Sequence, residues 1–227
     1  MDESSNQKET SLGSPNIKCS VLKQETIHRE KWLSLERVTY RDPVGRERTW
    51  EMVERTGKRP VQGAADAVAM IAILNRLLHY DCLVLVKQFR PPLKLYTIEF
   101  PAGLIDPTDN IEEAALRELK EETGYVGSVL AVSPTTALDS GISASTVNFV
   151  YIQIDGNDPA NLNPQSNMDE SEFIEVLLVP VTEILQRLQE MAKDTSVIID
   201  SRVFMYAATL RHPHQGMVST TITPMDP

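Results

Sequence analysis

The sequence predicts an α/β fold: an α/β/α sandwich with a mixed sheet between helices, preceded by a small N-terminal β-hairpin or sheet domain. Three observations carry that expectation. Two segments of alternating apolar and polar residues flank the turn R-D-P-V-G-R at 41–46. From Ala65 onward, apolar runs of strand length are interspersed with helical segments. Between the middle strands lies a short, very acidic helix that stops at a glycine.

The elements follow in order. Residues 1–17 are polar and lack periodicity, which reads as a disordered tail. Leu33 to Tyr40 and Arg48 to Glu54 alternate as strands, with Pro43 and Gly45 in the turn between them. This hairpin region carries both tryptophans, Trp32 and Trp50. Ala67 to Leu74 and Cys82 to Phe89 are apolar strands around a polar break at Asn75, Arg76 and His79, and Tyr96 to Phe100 is a short strand after them. A loop with Pro101, Gly103 and Pro107 then runs into the acidic helix. Asp109 is expected to cap it, with Glu112 as the reciprocal partner. Ala114, Ala115, Leu116 and Leu119 supply its apolar side, and Gly124 the left-handed residue that ends it. Ser128 to Val132, Thr146 to Ile154 and Phe173 to Val179 read as further strands. Helices are expected over Thr182 to Lys193 and over Asp200 to Leu210, the second capped by Asp200 or Ser201. The domain reading is a tail over 1–17, a β domain over 18–62, the main domain over 63–211 and a flexible tail over 212–227.

The totals exclude some functions. The 227 residues carry 22 basic and 32 acidic side chains, a net charge of -10. That argues against a nucleic-acid surface or an anionic membrane as partner. No apolar run reaches the length of a membrane span, and the polar start of the chain is no secretory signal. Two cysteines, Cys19 and Cys82, make no disulfide framework and favour a reducing compartment, the cytoplasm and also the nucleus.

The chemistry concentrates in the acidic helix. Glu118 and Glu122 are four residues apart and share one face, with Glu121 beside them. Like charges at that spacing repel, so a positive partner is expected. A hard divalent cation with oxygen ligands would serve, and Arg117, four residues before Glu121, can orient that glutamate. The plain alternative is a solvated helix face.

The string from Gly103 to Tyr125 resembles the Nudix box, G-x5-E-x7-R-E-U-x-E-E-x-G-U, with U apolar. Gly103, Arg117, Glu118, Leu119, Glu121, Glu122, Gly124 and Tyr125 fill the pattern, and Asp109 stands where the box has its first Glu. R-T-W-E at 48–51, L-V-K-Q-F-R-P-P at 85–92, I-E-F-P-A-G-L-I-D at 98–106 and E-F-I-E-V at 172–176 extend the likeness, which is similar to the ADP-sugar (ADP-ribose) pyrophosphatase branch of the Nudix hydrolases.

This resemblance implies Mg2+-dependent hydrolysis of the diphosphate of ADP-sugars, ADP-ribose to AMP and ribose 5-phosphate, with Mn2+ as the alternative metal. It implies a homodimer with shared active sites, in which Trp32 and Trp50 clamp the adenine from two subunits. Glu51 and Arg55 match residues of the same pocket, Arg90 a phosphate contact, Leu104 a pocket contact and Asp139 a substrate contact. Ala102, through its carbonyl, matches the metal ligands along with Glu118, Glu122 and Glu172, and Glu172 with Glu121 matches the groups that activate water. Filling the hairpin's own core is the competing role for the tryptophans, and a surface position before Pro91-Pro92 is that for Arg90. Asp169 and Glu170 compete with Glu172. Ser140, sixteen positions after Gly124, stands where ADP-ribose-preferring members carry proline, which leaves the preferred sugar open. Two other functions fit the same box: hydrolysis of oxidised nucleoside diphosphates, and non-catalytic nucleotide binding.

Overall fold

The computed structural model describes residues 18–57, 65–167 and 173–211. The expected tails at 1–17 and 212–227, the end of the β domain at 58–62, and Asp169, Glu170 and Glu172 lie outside the described residues. The described residues fall into two compact units: those up to Gly57 together with Asp139–Ser145, and the remainder.

The first unit is an antiparallel sheet of β1 (Ser20–Arg29), β2 (Leu33–Arg41) and β3 (Glu47–Arg55), in that order. The expected hairpin is β2 and β3, so the domain has one strand more than its alternation suggested. The missed strand, β1, is exposed along its whole length and lacks a clean apolar period. Asp42 closes the β2–β3 turn by accepting from the backbone N–H of Val44 (3.1 Å) and Arg46 (2.8 Å). On β2 the usual order is inverted: Ser34 and Glu36 are buried, while Leu33 and Leu35 are exposed. The Thr26 hydroxyl lies 3.0 Å from both Glu36 carboxylate oxygens and donates to them, and the Ser34 and Gln24 side chains also hydrogen-bond to this carboxylate, which offsets its burial.

The second unit holds a mixed sheet. Its strands are β4 (Ala67–Asn75), β5 (Cys82–Arg90), β6 (Leu95–Glu99), β7 (Ala102–Leu104), β8 (Ser128–Val132), β9 (Thr136–Ala137), β10 (Thr146–Asp155), β11 (Ile174–Pro180) and β12 (Val197–Ile199). The main path is β12-β6-β5-β4-β10-β8, with β11 on β5, β7 on β4 and β9 on β10. The β4–β10 and β6–β12 pairs are parallel and the others antiparallel.

Because side chains alternate along a strand, β4 feeds both faces. Val68, Met70, Ala72 and Leu74 pack with Ala114, Ala115 and Leu119 of helix α1 (Ile111–Thr123). Ala69 and Ile71 join the cluster on the other side. There, Ile184 and Leu188 of α2 (Ile184–Met191) and Val203 and Ala207 of α3 (Ser201–Arg211) cover the sheet. A strand covered on both faces has no polar side, which is why this segment reads as an unbroken apolar run.

The start of α1 differs from expectation by one residue. Asn110 is the cap: its side chain accepts from Glu113 N (2.9 Å), and the Glu113 carboxylate accepts from Asn110 N (3.2 Å). Asp109 is taken up by an ion pair described below, so its carboxylate is spent elsewhere. At the far end Gly124 adopts φ 76° and donates to Lys120 O, as expected of a left-handed stop. A Cβ there would also lie 2.5 Å from the backbone N of Gln165. At α3, Asp200 caps: its carboxylate accepts from Arg202 N and its carbonyl from Phe204 N. Asn110→Ala should lower stability by about 1 kcal/mol in urea unfolding. Glu112→Ala should leave it within about 0.5 kcal/mol, since Glu113 is the reciprocal partner.

Candidate active site

The loop from β6 to α1 is held as backbone rather than as free loop. Pro101 O accepts from Met70 N, Ala102, Gly103 and Leu104 pair with Ala69, Val68 and Ala67, and Ile105 N donates to Asp66 O. This short strand, β7, brings the loop against α1. Ala102 N donates to Glu122 Oε2 at 3.1 Å, so two residues expected to share a metal are in direct contact. Glu122 is buried to 6% relative exposure.

Gly103 explains its own place in the box. A Cβ built there would lie 1.9 Å from Glu118 Cδ and within 2.3 Å of both carboxylate oxygens. The absence of a side chain at Gly103 therefore leaves room for the Glu118 carboxylate to lie directly over the loop.

Arg117 organises the rest. Its Nη1 donates to Glu118 Oε1 (2.9 Å) and Glu121 Oε2 (3.0 Å). Its Nε donates to Asp109 Oδ2 (3.1 Å) and its Nη2 to Leu104 O (3.2 Å). Partial burial opposes the charge of the guanidinium, but the carboxylates of Glu118, Asp109 and Glu121 outweigh it and raise its pKa above the ordinary arginine value. The expected Arg117–Glu121 pair is present. The shortened carboxylate at Asp109 still reaches the arginine, which gives that box position a holding role.

The donor set fits a divalent cation. It consists of hard oxygens: Glu118 over a loop with no intervening Cβ, Glu122 on the same face of α1, and the Ala102 backbone beside it. Among the described residues no three His, Cys, Asp or Glu side chains are gathered to hold a metal by themselves. The expected set is different in kind, since it uses a backbone carbonyl and Glu172, which lies outside the described residues. The segment before Glu172 is anchored at the helix, because Asn167 N donates to Glu121 O at 2.8 Å.

Arg90 lies at the end of β5. Its Nε and Nη2 donate to the two oxygens of Glu99 at 2.7 and 2.6 Å. With Leu93, Thr97, Asp200 and Arg202 the pair lines a cleft of about 500 Å3. Arg202 and Asp200 form a second two-pronged pair, at 2.8 and 2.6 Å. The sequence assigns no site role to Glu99 or to this second pair. The available signal was Thr97 and Glu99, two polar residues at alternate positions of a strand, and both are buried.

In the first unit neither tryptophan fills a core: Trp32 is 70% and Trp50 is 51% exposed. Lys31 Nζ stands 4.4 Å from the centre of the Trp32 ring. Trp50 Nε1 donates to Gly141 O (3.0 Å), and Val53 N to Ile142 O (2.8 Å). The loop that carries Asp139 and Ser140 is thus docked on β3, beside Trp50. Glu51 follows Trp50 on the strand and points to the opposite face, where Arg37 Nη2 reaches it at 3.4 Å. Arg55 ends the same strand, and Leu104 ends β7.

Comparison with known proteins finds one family and several relatives. The NUDIX domain family matches residues 64–200. The chain is 42% identical over 205 residues to the ADP-sugar pyrophosphatase of Mus musculus, covering 90% of this chain and 93% of that protein. It is 36% identical over 189 residues to the ADP-ribose pyrophosphatase of Saccharomyces cerevisiae, covering 83% of this chain and 78% of that one. A solved structure of an ADP compounds hydrolase superposes with a TM-score of 0.58 at 24% identity, over 88% of this chain and 97% of its own. Among the described residues, no helix is long and apolar enough to cross a membrane.

The close approach at Gly103 is testable. In Gly103→Ala the added methyl meets only the far end of the Glu118 side chain, so stability should change by no more than about 1 kcal/mol. Displacing that carboxylate should nonetheless weaken Mn2+ binding, followed by calorimetry, by about tenfold or more.

Proposed function

The chain belongs to the Nudix family, and from that premise we propose that it hydrolyses the diphosphate of ADP-sugars, converting ADP-ribose to AMP and ribose 5-phosphate. The observation that carries the reading is the seat made by β7 and α1: Glu118 over Gly103, Glu122 on Ala102, and Arg117 between Glu118 and Glu121. Nudix hydrolases are generally dependent on divalent metals. Here the proposed ion is Mg2+, with Mn2+ as its substitute, held by Glu118, Glu122, the Ala102 carbonyl and Glu172. When bound, it supplies charge neutralisation for the diphosphate.

The chain's own groups do the rest. Arg90 offers a guanidinium edge to the phosphate oxygens. Glu172, assisted by Glu121, accepts the proton of the attacking water. The water oxygen bonds to one phosphorus as the bond from that phosphorus to the bridging oxygen breaks. Arg117 keeps Glu118 and Glu121 in place throughout.

Trp32 and Trp50 are assigned to stack on the adenine, a contribution of about 1–3 kcal/mol per base. Glu51, Arg55, Leu104 and Asp139 are assigned to the remaining substrate contacts. The exposure of both indoles supports this role. A homodimer with shared active sites completes the reading. Its support is the first unit itself, a three-stranded sheet that leaves Val21, Leu33, Leu35 and Trp50 exposed. Two free thiols, one of them buried, favour the cytoplasm or the nucleus.

Two measurements test these assignments. With ADP-ribose and Mg2+, Glu122→Gln should lose about a hundredfold or more in turnover, and EDTA should abolish wild-type product formation. Wild-type rates in Glu122→Gln would remove the metal assignment. Sedimentation equilibrium should return twice the chain mass, and a fully active monomer would remove the dimer.

A further inference from the structure

Arg90 is held from behind. Glu99 is the buried partner, with 7% of its side chain exposed, and Arg90 the open one, with 43%. Both Glu99 oxygens lie within 2.7 Å of guanidinium nitrogens, and the Thr97 hydroxyl also donates to Glu99 Oε1. The carboxylate therefore has little freedom to turn. An arginine has five N–H donors in a rigid plane, and Glu99 uses one on Nε and one on Nη2. The Nη1 edge and the second N–H of Nη2 form another fork, on the side away from Glu99. The hydrogen bonds to Glu99, ahead of Coulombic attraction to Glu99, Glu122 and Asp200, raise the Arg90 pKa.

We propose that Glu99 is a positioning residue that fixes the Arg90 guanidinium so that its outer fork meets the diphosphate. The inference rests on the ADP-sugar reading above. Strand β6 supports it, because Glu99 lies three residues before Ala102 and is joined to it through Phe100 and Pro101. One short stretch thereby sets both the arginine and the backbone that touches Glu122. An arginine of this length loses much rotamer freedom on binding, and a partner that orients it beforehand removes that cost from each encounter with substrate. Because the same contact serves bound substrate and transition state, its loss appears in KM rather than in kcat.

The test uses the full chain with ADP-ribose: steady-state hydrolysis in Mg2+, and calorimetric binding in EDTA, where turnover stops. Glu99→Gln should raise KM and the EDTA Kd by about tenfold, with kcat within about threefold of wild type. Glu99→Asp, which keeps the charge, should recover part of that loss. In an Arg90→Ala background Glu99→Gln should have no further effect on KM or Kd, because the group it positions is gone. A merely structural role would lower the melting temperature and the active fraction in both backgrounds without this dependence on Arg90. Unchanged KM and Kd in Glu99→Gln, or losses that multiply in the double variant, would overturn the inference while leaving the activity intact. Wild-type protein that binds ADP-ribose but forms no AMP would instead overturn the ADP-sugar reading, and the Kd comparison would still decide the role of Glu99.

Discussion

A single guanidinium, that of Arg117, holds the carboxylates of Asp109, Glu118 and Glu121 and the carbonyl of Leu104. Two like charges one helical turn apart destabilise a helix by about 0.2–0.5 kcal/mol. Glu118, Glu121 and Glu122 crowd such charges onto neighbouring positions of α1. Arg117 offsets part of that repulsion within the folded chain, and the Ala102 N–H takes one oxygen of Glu122. A cation drawn to the same oxygens would offset more. The geometry of the loop follows from this crowding, because the Glu118 carboxylate occupies the space that a side chain at Gly103 would need.

The two units contribute different chemistry. The second carries the oxygen-rich seat, Arg90 with its buried Glu99, and the cleft that the Asp200–Arg202 pair also lines. The first carries exposed aromatic surface and has almost no apolar interior, since its buried residues on β2 are Ser34 and Glu36. The segment Asp139–Ser145 belongs with the first unit although the chain on either side of it belongs to the second. Its hydrogen bonds to Trp50 and Val53 tie the loop with Ser140 to one of the two indoles. Substitutions at Gly141 or Ile142 therefore bear on the orientation of Trp50.

Much of this was legible in the residues. The buried strands β4 and β5 and the helices α1 to α3 announce themselves by apolar runs and periodicity, because packing on both faces of a sheet forces such patterns. The box residues were legible because their spacing is fixed by one helix and one loop. The cap lies one position later than the spacing suggests: Asp109 and Asn110 are both good caps, and here Asp109 pairs with Arg117 while Asn110 makes the capping box with Glu113. Strand β1 was missed because an exposed strand needs no apolar alternation, and β7 because three residues carry no period. The partnership of Arg90 with Glu99 joins neighbouring strands out of register, since Arg90 pairs with Leu95 and Glu99 with Val86, so no local pattern announces it.

The central claim is that the carboxylates gathered by Arg117 form a seat for a divalent cation that holds a diphosphate. Electron paramagnetic resonance of Mn2+ added to the protein, with and without ADP-ribose, reads that seat directly. The account predicts saturable Mn2+ binding that Mg2+ displaces, strengthened by the nucleotide sugar and weakened by about tenfold or more in Arg117→Ala. Mn2+ that remains free in solution beside the wild-type protein, with the nucleotide sugar present or absent, would contradict it.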